Sequence, residues 1–218
     1  MLGANCTGTL PAMHPVLPEK GLYAITDGPR PDLLAAAAAA LRGGAAVLQY
    51  RDKTADAARR GAEARALVAL CTQHGVPLIV NDDVELALAA GATGVHLGED
   101  DADPAAARGR LGAGAIVGVS CYDSLARARA GAAAGADYLA FGAFFPTATK
   151  PNARHAAPEL LRAAAEFGLP RVAIGGITPD NARPLLAAGA DFLAIVSGVF
   201  AAPDPEKAAR GYAALFTK

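Results

Sequence analysis

One pattern recurs four times in this chain and constrains its fold more than any other feature. Gly44-Ala45-Ala46-Val47, Gly91-Ala92-Thr93-Gly94, Gly135-Ala136-Asp137-Tyr138 and Gly189-Ala190-Asp191-Phe192 each stand where an Ala-rich segment gives way to an apolar run. A glycine just past a helix adopts the left-handed conformation that ends it, so each mark reads as a helix-to-strand junction. The glycines lie 47, 44 and 54 residues apart, room for two strand–helix units each, and four marks at alternate strands imply eight strands.

The strands themselves are legible. Leu22–Ile25, Ala46–Gln49, Leu78–Val80, Val95–Leu97, Ile116–Val119, Tyr138–Phe141, Arg171–Ile174 and Phe192–Val196 are short and nearly all apolar, as strands covered on both faces of a parallel sheet are. Helix-forming segments fill the gaps, among them Leu33–Arg42, Ala55–His74, Ser124–Ala134, Pro158–Phe167, Pro179–Ala188 and Pro205–Phe216. Thr54, Asp123 and Thr178 are the expected N-caps, Pro104 and Pro179 suit a first turn, and Gly44, Gly75, Gly91, Gly135 and Gly189 mark helix ends. Eight parallel strands with helical crossovers close into a (β/α)₈ TIM barrel. An open doubly wound sheet is the alternative, but no G-x-G-x-x-G follows the first strand. Residues 1–19 read as a loose tail and residues 20–218 as a single barrel domain.

Charge narrows the partners. Twenty basic residues stand against 21 acidic ones, a net charge of −1, and a nucleic-acid or anionic-membrane binder would show a basic surplus. No apolar run is long enough to span a bilayer. Cys6, Cys71 and Cys121 form no CxxC pair or disulfide ladder, which fits a reducing cytoplasm. Small-molecule ligands are therefore expected, with a homo-oligomer left open.

A barrel of this kind keeps its active site at the C-terminal ends of the strands, and the polar residues crowd there. Thr26 and Asp27 follow the first strand, Gln49-Tyr50-Arg51-Asp52-Lys53 the second and Asn81-Asp82-Asp83 the third. His96 lies in the fourth, ahead of Glu99-Asp100-Asp101; Ser120 ends the fifth, and Thr147-Ala148-Thr149-Lys150 closes a long loop after the sixth. Arg51, Lys53 and Lys150, with Asn81, Ser120, Thr147 and Thr149 as neutral donors, suit a phosphate or diphosphate. Asp82 and Asp101 suit Mg²⁺ shared with substrate phosphates. Helix capping is the competing role for both, and Asp83 and Asp100 compete for the metal. Gly175-Gly176 and Ser197-Gly198 follow the last two strands, where barrels often hold a phosphate on backbone N–H groups. His96 reads as an oriented structural imidazole, Cys121 lacks the partners of a nucleophile, and Phe141, Phe144 and Phe145 either wall a ring-binding pocket or pack the barrel mouth.

Taken together, these motifs resemble the thiamine phosphate synthase family from Leu22 to about Phe200. They are Tyr23-Ala24-Ile25-Thr26-Asp27, Gln49-Tyr50-Arg51-Asp52-Lys53, Val80-Asn81-Asp82, Gly94-Val95-His96-Leu97-Gly98, Gly118-Val119-Ser120, Phe145-Pro146-Thr147-Ala148-Thr149-Lys150, Ala173-Ile174-Gly175-Gly176-Ile177 and Val196-Ser197. The resemblance implies a Mg²⁺-dependent transferase. It joins 4-amino-2-methyl-5-hydroxymethylpyrimidine diphosphate to 4-methyl-5-(2-hydroxyethyl)thiazole phosphate and releases pyrophosphate by a dissociative mechanism. Carried over motif by motif, Gln49, Arg51, Lys53, Asn81, Ser120 and Lys150 would hold the pyrimidine diphosphate. Arg51, Lys53, Ser120 and Lys150 would carry the chemistry. Thr147, Thr149, Gly176, Val196 and Ser197 would hold the thiazole phosphate, and Asp82 and Asp101 the metal.

Four positions depart from the family's usual pattern. Glu99 stands where Gln is common and is expected to add negative charge beside the metal; Ala143 replaces Pro, Asn152 replaces Asp, and Cys121 replaces Thr or Ala. The rival readings are a thiazole tautomerase-like barrel, which would carry His where Ser120 stands, and a catalytically silent phosphate-binding barrel, which would be expected to lose the charged mouth.

Overall fold

Alternation along each strand decides how the chain closes. In the computed structural model, which describes residues 16–147 and 154–217, eight parallel strands pair in sequence order and the last returns to the first as a closed barrel. They are β1 (Gly21–Ile25), β2 (Ala45–Tyr50), β3 (Leu78–Asn81), β4 (Gly94–Leu97), β5 (Ile116–Tyr122), β6 (Tyr138–Gly142), β7 (Arg171–Ile174) and β8 (Phe192–Ile195). Successive residues point to opposite faces. Tyr23, Ile25, Val47, Ile79, Ile116, Tyr138, Val172 and Phe192 therefore pack together inside the barrel. Leu22, Leu48, Leu78, Leu139 and Leu193 belong to an outer layer shared with the helices. Leu17, within the stretch expected to be loose, packs against the inner cluster.

The outer ring is formed by α1 (Leu33–Arg42), α2 (Ala57–His74), α3 (Val84–Ala90), α4 (Pro104–Leu111), α5 (Leu125–Ala133), α6 (Pro158–Ala163), α7 (Arg183–Ala187), α8 (Ser197–Phe200) and α9 (Pro205–Ala213). Ala36, Ala37 and Ala40 are the buried face of α1. Alanine has no side-chain entropy to lose and little bulk, so an Ala-rich helix can sit close against the barrel wall. Each buried Leu or Ile on the strands adds about 1.5–3 kcal/mol of hydrophobic stabilisation.

Three helix starts differ from expectation. Asp56, not Thr54, caps α2, because Thr54 is already committed to Asp52 through its N–H and its hydroxyl. Ser124, one residue after Asp123, caps α5. The helix expected over Pro179–Ala188 begins only at Arg183. A helix from Pro179 would place Pro184 in its interior, where the missing N–H and the ring break the ladder. Instead the Thr178 N–H donates to Asn181 Oδ1, and Asn181 Nδ2 donates to the Gly176 carbonyl. The short α8 was not foreseen. Gly75 and Gly91 cap α2 and α3 in the left-handed conformation; Gly44, Gly135 and Gly189 have positive φ just beyond their helices.

Candidate active site

The inward register that fills the barrel also furnishes its mouth. Gln49, Asn81, His96 and Ser120 lie two residues further along their strands than Val47, Ile79, Gly94 and Gly118, so they face the same interior one layer higher. They line a cavity of about 730 Å³ at the C-terminal end of the barrel. Arg51, Lys53, Asp82, Asp101, Thr147, Gly176, Val196 and Ser197 line the same cavity. Thr149 and Lys150 lie outside the described residues.

Neighbouring aspartates after β3 have different tasks. Asp82 adopts φ 65°, in the left-handed region that Asp tolerates better than most residues. Asp83 accepts the Leu86 N–H at the start of α3 and pairs with Arg60 at 3.0 Å. Asp103, not Asp100 or Asp101, caps α4. This frees Asp82 and Asp101 from capping. Asp82 pairs with Lys53 Nζ at 3.1 Å, and Asp101 Oδ2 accepts the Gly98 N–H at 2.6 Å. The two carboxyls also share a hydrogen bond. Burial works against the charge on both. On Asp82 it is outweighed by the bond to Asp101 and the Lys53 ammonium, which hold the carboxyl below the usual range. On Asp101 burial and the facing Asp82 charge outweigh the Gly98 N–H and raise it. Two carboxyls so placed call for a proton or a cation between them.

Arg51 is held by its backbone. Its N–H donates to Thr26 Oγ1 at 2.8 Å, and the Thr26 hydroxyl donates back to the Arg51 carbonyl at 3.2 Å. Next to it, buried Asp52 accepts from Arg59 at 2.7 Å and from Thr54. These bonds leave the Arg51 guanidinium in the mouth without an ion pair among the described residues.

The other arginine of the mouth, Arg154, is spent. Glu99 Oε2 pairs with it at 3.0 Å, and Glu99 Oε1 pairs with Arg127 at 3.3 Å. Both guanidinium groups also lie against the Tyr122 ring, at 5.1 and 5.4 Å from its centroid. The expected surplus of negative charge at Glu99 is thus neutralised locally, a correction that sequence distance concealed: Glu99 and Arg154 are 55 residues apart.

Across the barrel from Asp82, Gly176 sits at φ 62° in the loop after β7, and a Cβ there would collide with the Pro146 carbonyl and Phe145. Val196 and Ser197 lead into α8. Phe141 and Phe144 belong to the outer core and Phe145 packs against it, and none of the three lines the cavity. The ring-wall alternative is therefore corrected: Phe141 has the outward register of its strand. Burial pushes the Cys121 thiol up to about 12, which keeps it protonated and unsuited to nucleophilic work.

His96 needs a wider description than a structural imidazole. Its Nε2 meets Ser120 Oγ at 2.8 Å and its Nδ1 meets Tyr138 Oη at 2.9 Å. Tyr138 Oη lies 2.7 Å from Tyr23 Oη, which accepts from Gln49 Nε2 at 2.9 Å. Tyr23 and Tyr138 were missed as site residues. The available signal was their inward register, directly below Ile25 and Ala140 on strands whose ends carry the polar motifs.

Comparison with known proteins places the chain in a family. The family model described as thiamine monophosphate synthase matches residues 22–199. The chain is 66% identical over 171 residues to a thiamine-phosphate synthase from Xanthomonas campestris pv. campestris, covering 78% of this chain and 83% of that protein. It is 57% identical over 191 residues to the one from Halorhodospira halophila, covering 87% and 91%. A solved structure of thiamine phosphate pyrophosphorylase from Pyrococcus furiosus superposes with a TM-score of 0.80 at 36% identity, covering 89% of this chain and 94% of that one.

Proposed function

The chain belongs to the thiamine monophosphate synthase family, and on that premise we propose that its barrel mouth makes thiamine phosphate. The substrates are 4-amino-2-methyl-5-hydroxymethylpyrimidine diphosphate and 4-methyl-5-(2-hydroxyethyl)thiazole phosphate. The bond between the pyrimidine methylene carbon and the diphosphate oxygen breaks, and its electron pair leaves with pyrophosphate. The thiazole nitrogen then supplies the pair for the new C–N bond. A reaction of this kind needs no enzymic nucleophile. It needs stabilisation of charge on the leaving group and alignment of two partners away from water.

The observation that carries this reading is the division of the mouth. Arg51, Lys53 and the Asp82–Asp101 pair gather on the β2–β4 side, while Gly176 and Ser197 lie on the β7–β8 side. In this reading the Arg51 guanidinium, which pairs with no carboxylate among the described residues, grips the diphosphate. Lys53 and Asn81 add charge and a neutral donor, Ser120 contributes a hydroxyl, and Gln49 borders the pyrimidine. Lys150, by its motif, joins the diphosphate group. Gly176, Val196 and Ser197, with Thr147 and Thr149, hold the thiazole phosphate.

Asp82 and Asp101 suit Mg²⁺. They face each other in the cavity mouth, and neither caps a helix. Two carboxylates with the remaining positions left to water and phosphate oxygens is a Mg²⁺ pattern. Bound there, the ion would neutralise diphosphate oxygens as negative charge grows on them. Incubation of the protein with both substrates and Mg²⁺ should yield thiamine phosphate and pyrophosphate in equal amounts; neither product forming would overturn the reading.

A further inference from the structure

Beneath the mouth, Gln49, Tyr23, Tyr138, His96 and Ser120 form one hydrogen-bonded chain through the barrel interior. Tyr23 and Tyr138 are buried, and burial pushes both phenols far above their ordinary value, so each keeps its proton. The Tyr138 ring lies across Gly118, where a Cβ would collide with it, and stacks on His96 with 5.6 Å between centroids. The chain spans β2, β1, β6, β4 and β5, so its geometry is fixed by the barrel rather than by any loop.

Counting protons gives the chain a direction. Gln49 donates to Tyr23 Oη. Either phenol could donate across the 2.7 Å contact, but with Tyr23 Oη already accepting from Gln49 its own proton is satisfied by Tyr138 Oη. Having accepted, Tyr138 places its own proton on His96 Nδ1. With Nδ1 accepting, the ring proton sits on Nε2 and is donated to Ser120 Oγ. The Ser120 oxygen has then accepted from within the protein, and its own hydrogen is left to point into the cavity it lines. Run the other way, the same atoms would make Ser120 present lone pairs to the cavity, which would repel a diphosphate oxygen.

We propose that Tyr23, Tyr138 and His96 are positioning residues that set Ser120 as a hydrogen-bond donor toward an anionic oxygen in the cavity. This rests on the diphosphate reading above. The hydroxyl is prepaid in orientation, so it costs no reorganisation as charge develops on the leaving group.

Two measurements test it. Long-range ¹H–¹⁵N correlation on the wild-type protein at neutral pH reads the His96 tautomer directly. The expected pattern is a proton on Nε2 and a bare Nδ1; a proton on Nδ1 overturns the proposal. Kinetics supplies the second. Tyr138→Phe should lower kcat about tenfold, the value of one hydrogen bond of about 1.4 kcal/mol, with KM for the thiazole phosphate unchanged. In a Ser120→Ala background the same change should alter kcat less than about twofold, because the group it orients is gone. Multiplying effects would show that Tyr138 acts by packing alone and would overturn the proposal. Tyr23→Phe repeats the cycle should Tyr138→Phe fail to fold. A wild-type protein that makes no thiamine phosphate would overturn the functional reading instead, while the tautomer would still decide the direction of the chain.

Discussion

At Arg51 the decisive property is the lack of an ion-pair partner among the described residues. Its neighbours Asp52 and Arg59 satisfy one another, and Thr26 fixes its backbone, so the guanidinium has been positioned without being neutralised. Arg51→Ala should weaken the pyrimidine diphosphate about 10–100-fold, the loss of a charge-assisted contact of about 1.5–3 kcal/mol. Thiazole phosphate affinity should hold and stability should stay within about 0.5 kcal/mol; calorimetric titration with each substrate separates these outcomes. Asp52 is the opposite case. Burial raises its carboxyl, but the Arg59 and Thr54 hydrogen bonds outweigh it and hold it below the usual range. A carboxylate depressed in the folded state contributes stability that is full above its unfolded value near 4 and is lost as pH falls through the folded one. Asp52→Asn should therefore cost about 1–3 kcal/mol at pH 7, and the gap from wild type should narrow by pH ~3. A gap of the same size at both values in chemical denaturation would remove the charge from the explanation.

The element that matters most is the β3–α3 junction, where a left-handed residue, Asp82, stands beside the aspartate that caps α3, so that the proposed metal ligand and the architectural residue are adjacent. Asp83→Ala removes the α3 cap and the Arg60 partner. It should cost about 1 kcal/mol of stability and leave the Mg²⁺ requirement alone. Asp82→Asn should do the reverse, raising the Mg²⁺ concentration needed for half-maximal rate with little change in melting temperature. A swap of the two phenotypes would reverse the assignment. The β7–α7 loop obeys a stricter rule. Because a Cβ at Gly176 would meet the Pro146 carbonyl and the backbone sits at positive φ, a bulky substitution there disturbs the neighbouring loop as well as the proposed phosphate site. Ser197→Ala is the cleaner probe of that side.

For the molecule as a whole, the proposed metal site and the core are separate. The barrel is sealed by its own apolar layers, and Asp82 and Asp101, the proposed ligands, lie in the loops beyond β3 and β4. Chelation should stop thiamine phosphate formation while leaving the folded circular dichroism spectrum intact. Restoring Mg²⁺ near its dissociation constant should add less than about 1 kcal/mol of stability, as linkage allows. Loss of structure on chelation would make the ion part of the fold. No helix among the described residues is long and apolar enough to cross a membrane, consistent with the even charge balance.

The sequence by itself determined the barrel. Its Gly-Ala junctions and eight apolar runs lie within three residues of the strands at either end, because steric limits at a helix end and burial on both faces of a strand are local requirements. Among the described residues, its candidate site residues line the cavity at the barrel mouth, since the end of a strand is visible in the order of residues. What only the tertiary structure decided were the pairings. Whether Asp82 or Asp83 capped α3 depended on one φ angle. Whether Glu99 added charge depended on Arg154, 55 residues away. Whether Phe141 faced the cavity depended on its register, and the Tyr23–Tyr138–His96 chain on which inward side chains meet across the closed barrel. Hydrogen bonds and ion pairs act over a few ångströms between residues far apart in the chain, so their partners exist only once the barrel has closed.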